Sequence, residues 1–209
     1  MRIKVILAVI CGTLFLFAAG FAFNQVSAGI NAPFQTQNAS AQNSTDPIAD
    51  NAQKMITDGK QTFRYDTFGD QTYWGDQLRL NEAIAGAKNG GVGTGVSPKT
   101  ALAVGLKVDM DALPADLVAQ IKANKVDLDD PATTLALLKL NAVVGITGFF
   151  DKDQKQLKSV GIQCAFCHST VDDAFAPGIG HRLDGWPNRD LNVGAIVSLS
   201  LIHISEPTR

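Results

Sequence analysis

Cys164 and Cys167 stand three positions apart, and His168 follows directly, in the order Cys164-Ala165-Phe166-Cys167-His168. On a helical turn residues so spaced share one side, so both thiols can reach one ligand with the imidazole beside them. These residue types suit thioether bonds from two sulfurs to the vinyl groups of one haem, with His168 supplying the proximal nitrogen to its iron. Two other chemistries use a close thiol pair. A zinc site needs further Cys or His ligands at metal spacing, and His181 and His203 are the only other imidazoles in the chain. A dithiol redox centre sits at a helix start after a strand in a βαβ context, and no such context is legible here. The expected cofactor is therefore haem c with its iron, held by Cys164, Cys167 and His168.

The remaining cysteine count supports a dedicated pair. Of three cysteines, Cys11 lies in an apolar N-terminal run, so there is no disulfide framework to which Cys164 and Cys167 could belong. That run extends from Val5 to about Phe23, behind Arg2 and Lys4, and Val26-Ser27-Ala28 offers small residues at the positions a signal peptidase reads. Residues 1–28 are read as a signal peptide or an N-terminal membrane anchor. The run exceeds the 7–15 residues usual for a cleaved signal and approaches the ~20 that span a bilayer. Either way the remainder is exported, and a periplasmic location is expected. A net charge of -2 offers no basic footprint, which argues against nucleic acid as a partner.

Residues 29–53 are rich in Asn, Gln, Ser, Thr and Ala and read as a flexible linker, too polar to offset the entropy of ordering. Asp46-Pro47 can nonetheless open a helix, Asp as cap and Pro in the first turn, and Ile48, Ala52, Met55, Ile56 and Phe63 predict one to about residue 63. Leu78 to Ala87 predicts a second short helix, stopped by the glycines from Gly86 to Gly95. That glycine run lacks the spacing and the Gly-Lys-Ser/Thr element of a phosphate loop. Leu117, Val118 and Ile121 predict a short amphipathic helix, and Pro131 opens another through Leu140. Ala142 to Phe150 and Gln156 to Ile162 are β-prone stretches around the turn Asp151-Lys152-Asp153-Gln154. They read as a small hairpin that delivers the chain to Cys164. Asp127, Asp129 and Asp130 read as a solvated turn rather than a calcium loop.

From about Val144 to Gly194 the chain resembles a c-type cytochrome domain of the monohaem, class I kind. After the Cys164 motif, Gly180-His181-Arg182-Leu183-Asp184-Gly185 resembles the Gly-Pro-x-Leu-x-Gly element of that family. The family's proline carbonyl orients the proximal histidine; here His181 stands in its place and Pro177 lies four residues earlier. Thr62 to Asp70 resembles, less specifically, the opening helix of larger periplasmic cytochromes. The resemblance implies a mainly α fold, a cytochrome c-like helical domain around a covalent haem, with the small β-hairpin before the motif. It implies one-electron transfer with a redox partner protein as the function, an electron carrier before a catalyst. The alternative is the N-terminal part of a multi-domain haem oxidoreductase, a peroxidase or dehydrogenase subunit.

Such cytochromes place an axial methionine downstream of the motif, and no methionine follows Met110. His181, thirteen positions after His168, is the nearby candidate for a sixth ligand; an open or water-filled position and a ligand past Ser198 are the others. Trp186 reads either as a haem shield or as a core aromatic. Arg182 and Arg189 read as partners of haem propionates or of Asp184 and Asp190. Residues 199–209, Leu199 to Arg209, resemble the translation of sequencing-adapter DNA. They are set aside as non-native, which leaves residues 54–198 as an incomplete cytochrome c-type domain.

Overall fold

The computed structural model describes residues 46–204, with side chains to residue 199. Contacts divide the chain into two units, 1–50 and 51–209. Of the first, residues 46–50 are described. The signal or anchor segment and most of the linker lie outside the described residues, as does the end of the adapter-like tail. Among the described residues no helix is long and apolar enough to cross a membrane.

Helix α1 spans Pro47–Tyr65, begun where Asp46 accepts a hydrogen bond from Ile48 N (3.0 Å). None of its residues is buried, although Ile48, Met55 and Ile56 line one face. A π-helical turn, Thr72–Gln77, leads to α2, Leu80–Ala85, which carries Leu80 and Ile84 into the core. Helix α3, Pro98–Ala103, is capped by Ser97, whose hydroxyl accepts from Thr100 N (3.2 Å). Strand β1, Val108–Asp109, precedes α4, Ala115–Lys122, and then α5, Pro131–Lys139. The last is capped by Asp130 at Ala132 N (2.9 Å), a contact of about 1 kcal/mol. Helices of six to nine residues are marginal alone; α2 packs on α5, both pack against a hairpin, and α3 packs on α5.

That hairpin is β2, Ile146–Phe150, against β3, Leu157–Ile162, antiparallel from Ile146↔Ile162 to Phe150↔Leu157. The next elements are α6, Ala165–His168, then β4, Ser169–Val171, β5, Ile179–Gly180, β6, Arg182–Asp184, and helix α7, Val193–Ile204. Strand β4 pairs antiparallel with β6, and β5 pairs parallel with β1. Leu138 and Val160 are the largest fully buried apolar side chains and mark where α5 meets the hairpin.

The expected mainly α, cytochrome c-like architecture is therefore corrected. The chain is a mixed fold of short helices and three two-stranded sheets. The hairpin and the helices at Pro47, Leu80, Ala115 and Pro131 stand near where the hydrophobic spacing puts them. The stretch from Ser169 to Gly180, whose polar, Gly- and Pro-containing composition predicts a loop, instead holds β4 and β5, and β6 follows directly. Strands of two or three residues are too short for an alternating pattern to register, and side-chain bonds described below fix them.

Candidate functional site

The Cys164 turn is seated from below by the hairpin. Asp151 closes the hairpin end: its carboxylate accepts from Lys155 N (2.7 Å) and Gln156 N (3.2 Å). These backbone hydrogen bonds, Gln156 first, hold its carboxyl below the usual carboxylate range. At the other end Gln163 N donates to Gly145 O (3.0 Å), one pair beyond the Ile146↔Ile162 end of the ladder. Both carboxylate oxygens of Asp70 accept from Ile162 N (3.1 and 3.2 Å), and Trp74 Nε1 donates to the same group (3.0 Å). Burial raises the Asp70 carboxyl above its ordinary value, against the lowering effect of these donors.

From Gln163 the chain turns into α6. Ala165 and Phe166 are buried at 0% and 4% exposure, whereas Cys164, Cys167 and His168 are exposed. At 100° per residue Cys164, Cys167 and His168 fall within one arc of the turn, with Phe166 opposite. The sequence thus splits by role: two apolar residues anchor the turn and three reactive residues face solvent together. Both thiols are free, and the His168 ring has no hydrogen-bond or ion-pair partner among the described residues. The three residues expected to act together lie together.

The far side of the turn is held by residues 184 to 188. Gly185 N donates to His168 O (2.8 Å) and Asn188 N to Cys167 O (3.0 Å), so the last carbonyls of the turn are satisfied. Directly after His168, Ser169 is fully buried and its hydroxyl donates to Asp184 Oδ1 (2.9 Å). Asp184 also accepts from Arg182 Nε (2.8 Å) and from Arg64 Nε of α1 (2.6 Å). Burial alone would raise the Asp184 carboxyl. The hydrogen bonds from Arg64 and Ser169 and the two guanidinium charges outweigh it and hold the group below its usual range. Burial lowers Arg182, whose side chain is 3% exposed, and one of its nitrogens, Nη2, is buried without a protein partner.

His181 stands at the opposite end of the β4–β6 ribbon, where its carbonyl accepts from Asp172 N (3.1 Å). Its Nδ1 lies 2.8 Å from Asp111 Oδ1, and its backbone N donates to Asp172 (2.8 Å). That backbone contact, after the one from Ala174 N, keeps the Asp172 carboxyl low. Four ladder positions separate His181 from the His168 end, roughly 13 Å along the strands. Trp186 is 63% exposed, not a core aromatic, and follows the glycine bonded to His168. Arg182 is committed to Asp184, whereas Asp190 pairs with Lys107 (2.6 Å) rather than with Arg189. Lys107 is what holds the Asp190 carboxyl low.

Sequence reading missed Arg64, Ser169 and Gly145. Arg64 and Asp184 are 120 positions apart and nothing in local spacing links them. Ser169 looked like the first residue of a polar loop. Among the described residues no three His, Cys, Asp or Glu side chains form a group that could hold a bare metal ion. Comparison with family models, with curated proteins and with solved structures found no match for this chain.

Proposed function

We propose that this chain is an exported electron-transfer protein that carries one covalent haem c on Cys164, Cys167 and His168. A single observation carries the reading: the two thiols and the imidazole share the exposed side of one turn whose other two residues are buried. Three unpartnered reactive groups on a rigidly seated turn fit a ligand that is bonded at all three points. The donor set fits haem chemically, since each thiol can add its S–H across one vinyl group with no leaving group. The exposed imidazole, bearing a free ring nitrogen, fits the proximal position on the iron.

A haem bound there supplies a one-electron redox centre. The chain's own residues do the positioning. Ala165 and Phe166 anchor the turn, Gly185 and Asn188 hold its carbonyls, and Asp184 ties the strand that follows His168 to β6 and α1. Electrons would pass to and from a redox partner protein across the exposed side. Export rests on the sequence of residues 1–28, and with it the periplasmic location in which covalent attachment prevents loss of the cofactor.

The test is expression with a haem-maturation system, followed by acid–acetone extraction. Pigment should stay with the polypeptide, and Cys164→Ser with Cys167→Ser should leave the protein colourless. Pigment that moves into the solvent phase from the parent protein sinks the proposal.

A further inference from the structure

Helix α4 turns Leu117, Val118 and Ile121 inward, yet no residue of the helix is buried. The reason is a cavity of about 390 Å³ between α4, α3 and α5. Its walls are Leu102 of α3, Leu117 and Ile121 of α4, Leu137 of α5, and its floor the paired Val108 and Ile179 of β1 and β5. The volume lies within the range of small-molecule pockets, roughly 300–1,000 Å³. Leu117, Val118 and Ile121 pack against the core only in part, and an apolar space of this size beside them leaves contacts unmade that a guest would supply.

The polar groups at the rim are few: Gln120, Lys125, Asp127 and Thr133. Two of them are already engaged. Thr133 Oγ1 donates to Asp127 O (2.7 Å), and Asp127 Oδ1 accepts from Asp129 N (2.8 Å). Lys125 is fixed at its backbone, where its N donates to Gln120 O (2.9 Å), and its ammonium has no partner among the described residues. The charged residues lining this apolar cavity are thus Lys125, whose ammonium has no partner among the described residues, and Asp127, whose carboxylate holds the local turn at Asp129 N.

We propose that this cavity binds a single-chain carboxylate amphiphile, a medium-chain fatty acid, with the alkyl chain between α4 and α5 and the carboxylate at Lys125. The apolar lining selects an alkyl body, and the Lys125 ammonium, without a partner among the described residues, selects an anionic head. An uncharged apolar guest would fill the walls without using Lys125. The inference does not rest on haem attachment, since none of the lining residues belongs to the Cys164 turn.

Dodecanoate is titrated into the purified full chain by calorimetry at neutral pH, with dodecanol as the uncharged counterpart. One saturable site per chain is expected. Lys125→Gln should weaken dodecanoate about tenfold, the loss of one charge-assisted contact, and leave dodecanol unchanged. Ala136→Phe, which puts a ring into the wall, should abolish both. Because that variant could unfold, contacts from labelled dodecanoate to the Leu117 and Ile121 methyls are also read by NMR in the parent protein. Absence of saturable binding, or of those methyl contacts, overturns the site; equal dodecanoate affinity in Lys125→Gln overturns the carboxylate assignment. Cys164→Ser with Cys167→Ser should bind dodecanoate as the parent does, which separates this result from the haem reading.

Discussion

Gly145 lies flush beneath the backbone of Phe166: a β-carbon at Gly145 would sit 2.2 Å from Phe166 Cα and 2.5 Å from its N. Gly145 also has φ +84°, a conformation that costs other residues. The Cys164 turn is therefore seated on a residue without a side chain. Gly145→Ala combines backbone strain with overpacking and should cost about 3 kcal/mol. Urea denaturation measures that cost. A variant as stable as the parent would show that the turn is not seated there.

Asp184 joins Ser169, Arg182 and Arg64, and its loss takes the bonded carboxylate from a guanidinium that is 3% exposed, leaving it only the more distant charge of Asp109. Asp184→Ala should destabilise by about 3 kcal/mol, because a buried guanidinium without its bonded carboxylate costs more than the lost bonds. Arg64→Met leaves Asp184 two donors and should cost about half as much. The comparison is read from the midpoints of urea unfolding. Equal effects from the two variants would show that Arg182, rather than being stranded, finds solvent.

These two relationships also mark where sequence reading stops. Cys164, Cys167 and His168 are legible because adjacent residues carry their own geometry. The helix starts at Pro47 and Pro131 and the hairpin turn at Asp151 are legible because capping and turn chemistry act within a few residues. Arg64 with Asp184, and Gly145 with Phe166, are tertiary contacts whose residue types are ordinary at their positions. The ribbon β4–β6 follows from the same contacts, which is why a stretch of Ser, Asp, Gly and Pro looked like loop. The mainly α architecture inferred with the Cys164 motif did not hold, because strands of two or three residues fixed by distant side chains leave no periodicity in the sequence.

Trp186 follows Gly185, whose N–H is bonded to His168 O at 2.8 Å, and its ring is exposed. Trp74, the other tryptophan, is half-buried and bonded to Asp70. A haem on the Cys164 turn absorbs where tryptophan emits, so loading should quench the solvent-exposed, red-shifted part of the emission. The paired Cys164→Ser and Cys167→Ser protein should recover it, and Trp186→Phe should remove it while changing stability by less than about 0.5 kcal/mol. Emission that is unchanged on loading argues that the pigment is bound elsewhere.

Acid stability should follow two carboxylates that titrate in opposite senses. The folded state lowers Asp184 and raises Asp70 relative to an unfolded value near 3.9. Asp184 therefore adds stability that is fully present above pH ~3.9 and is lost as the pH falls through its lower folded value. Asp70 acts the other way: its folded form binds a proton more readily, so stability rises as the pH falls through its elevated value towards ~3.9. Unfolding by urea, measured at closely spaced pH values, should show the loss below ~3.9 diminished in Asp184→Asn. In Asp70→Asn the gain on approaching that pH should vanish, so the variant falls away more steeply than the parent. Parallel profiles for parent and both variants would mean that neither carboxylate is perturbed by the contacts that surround it.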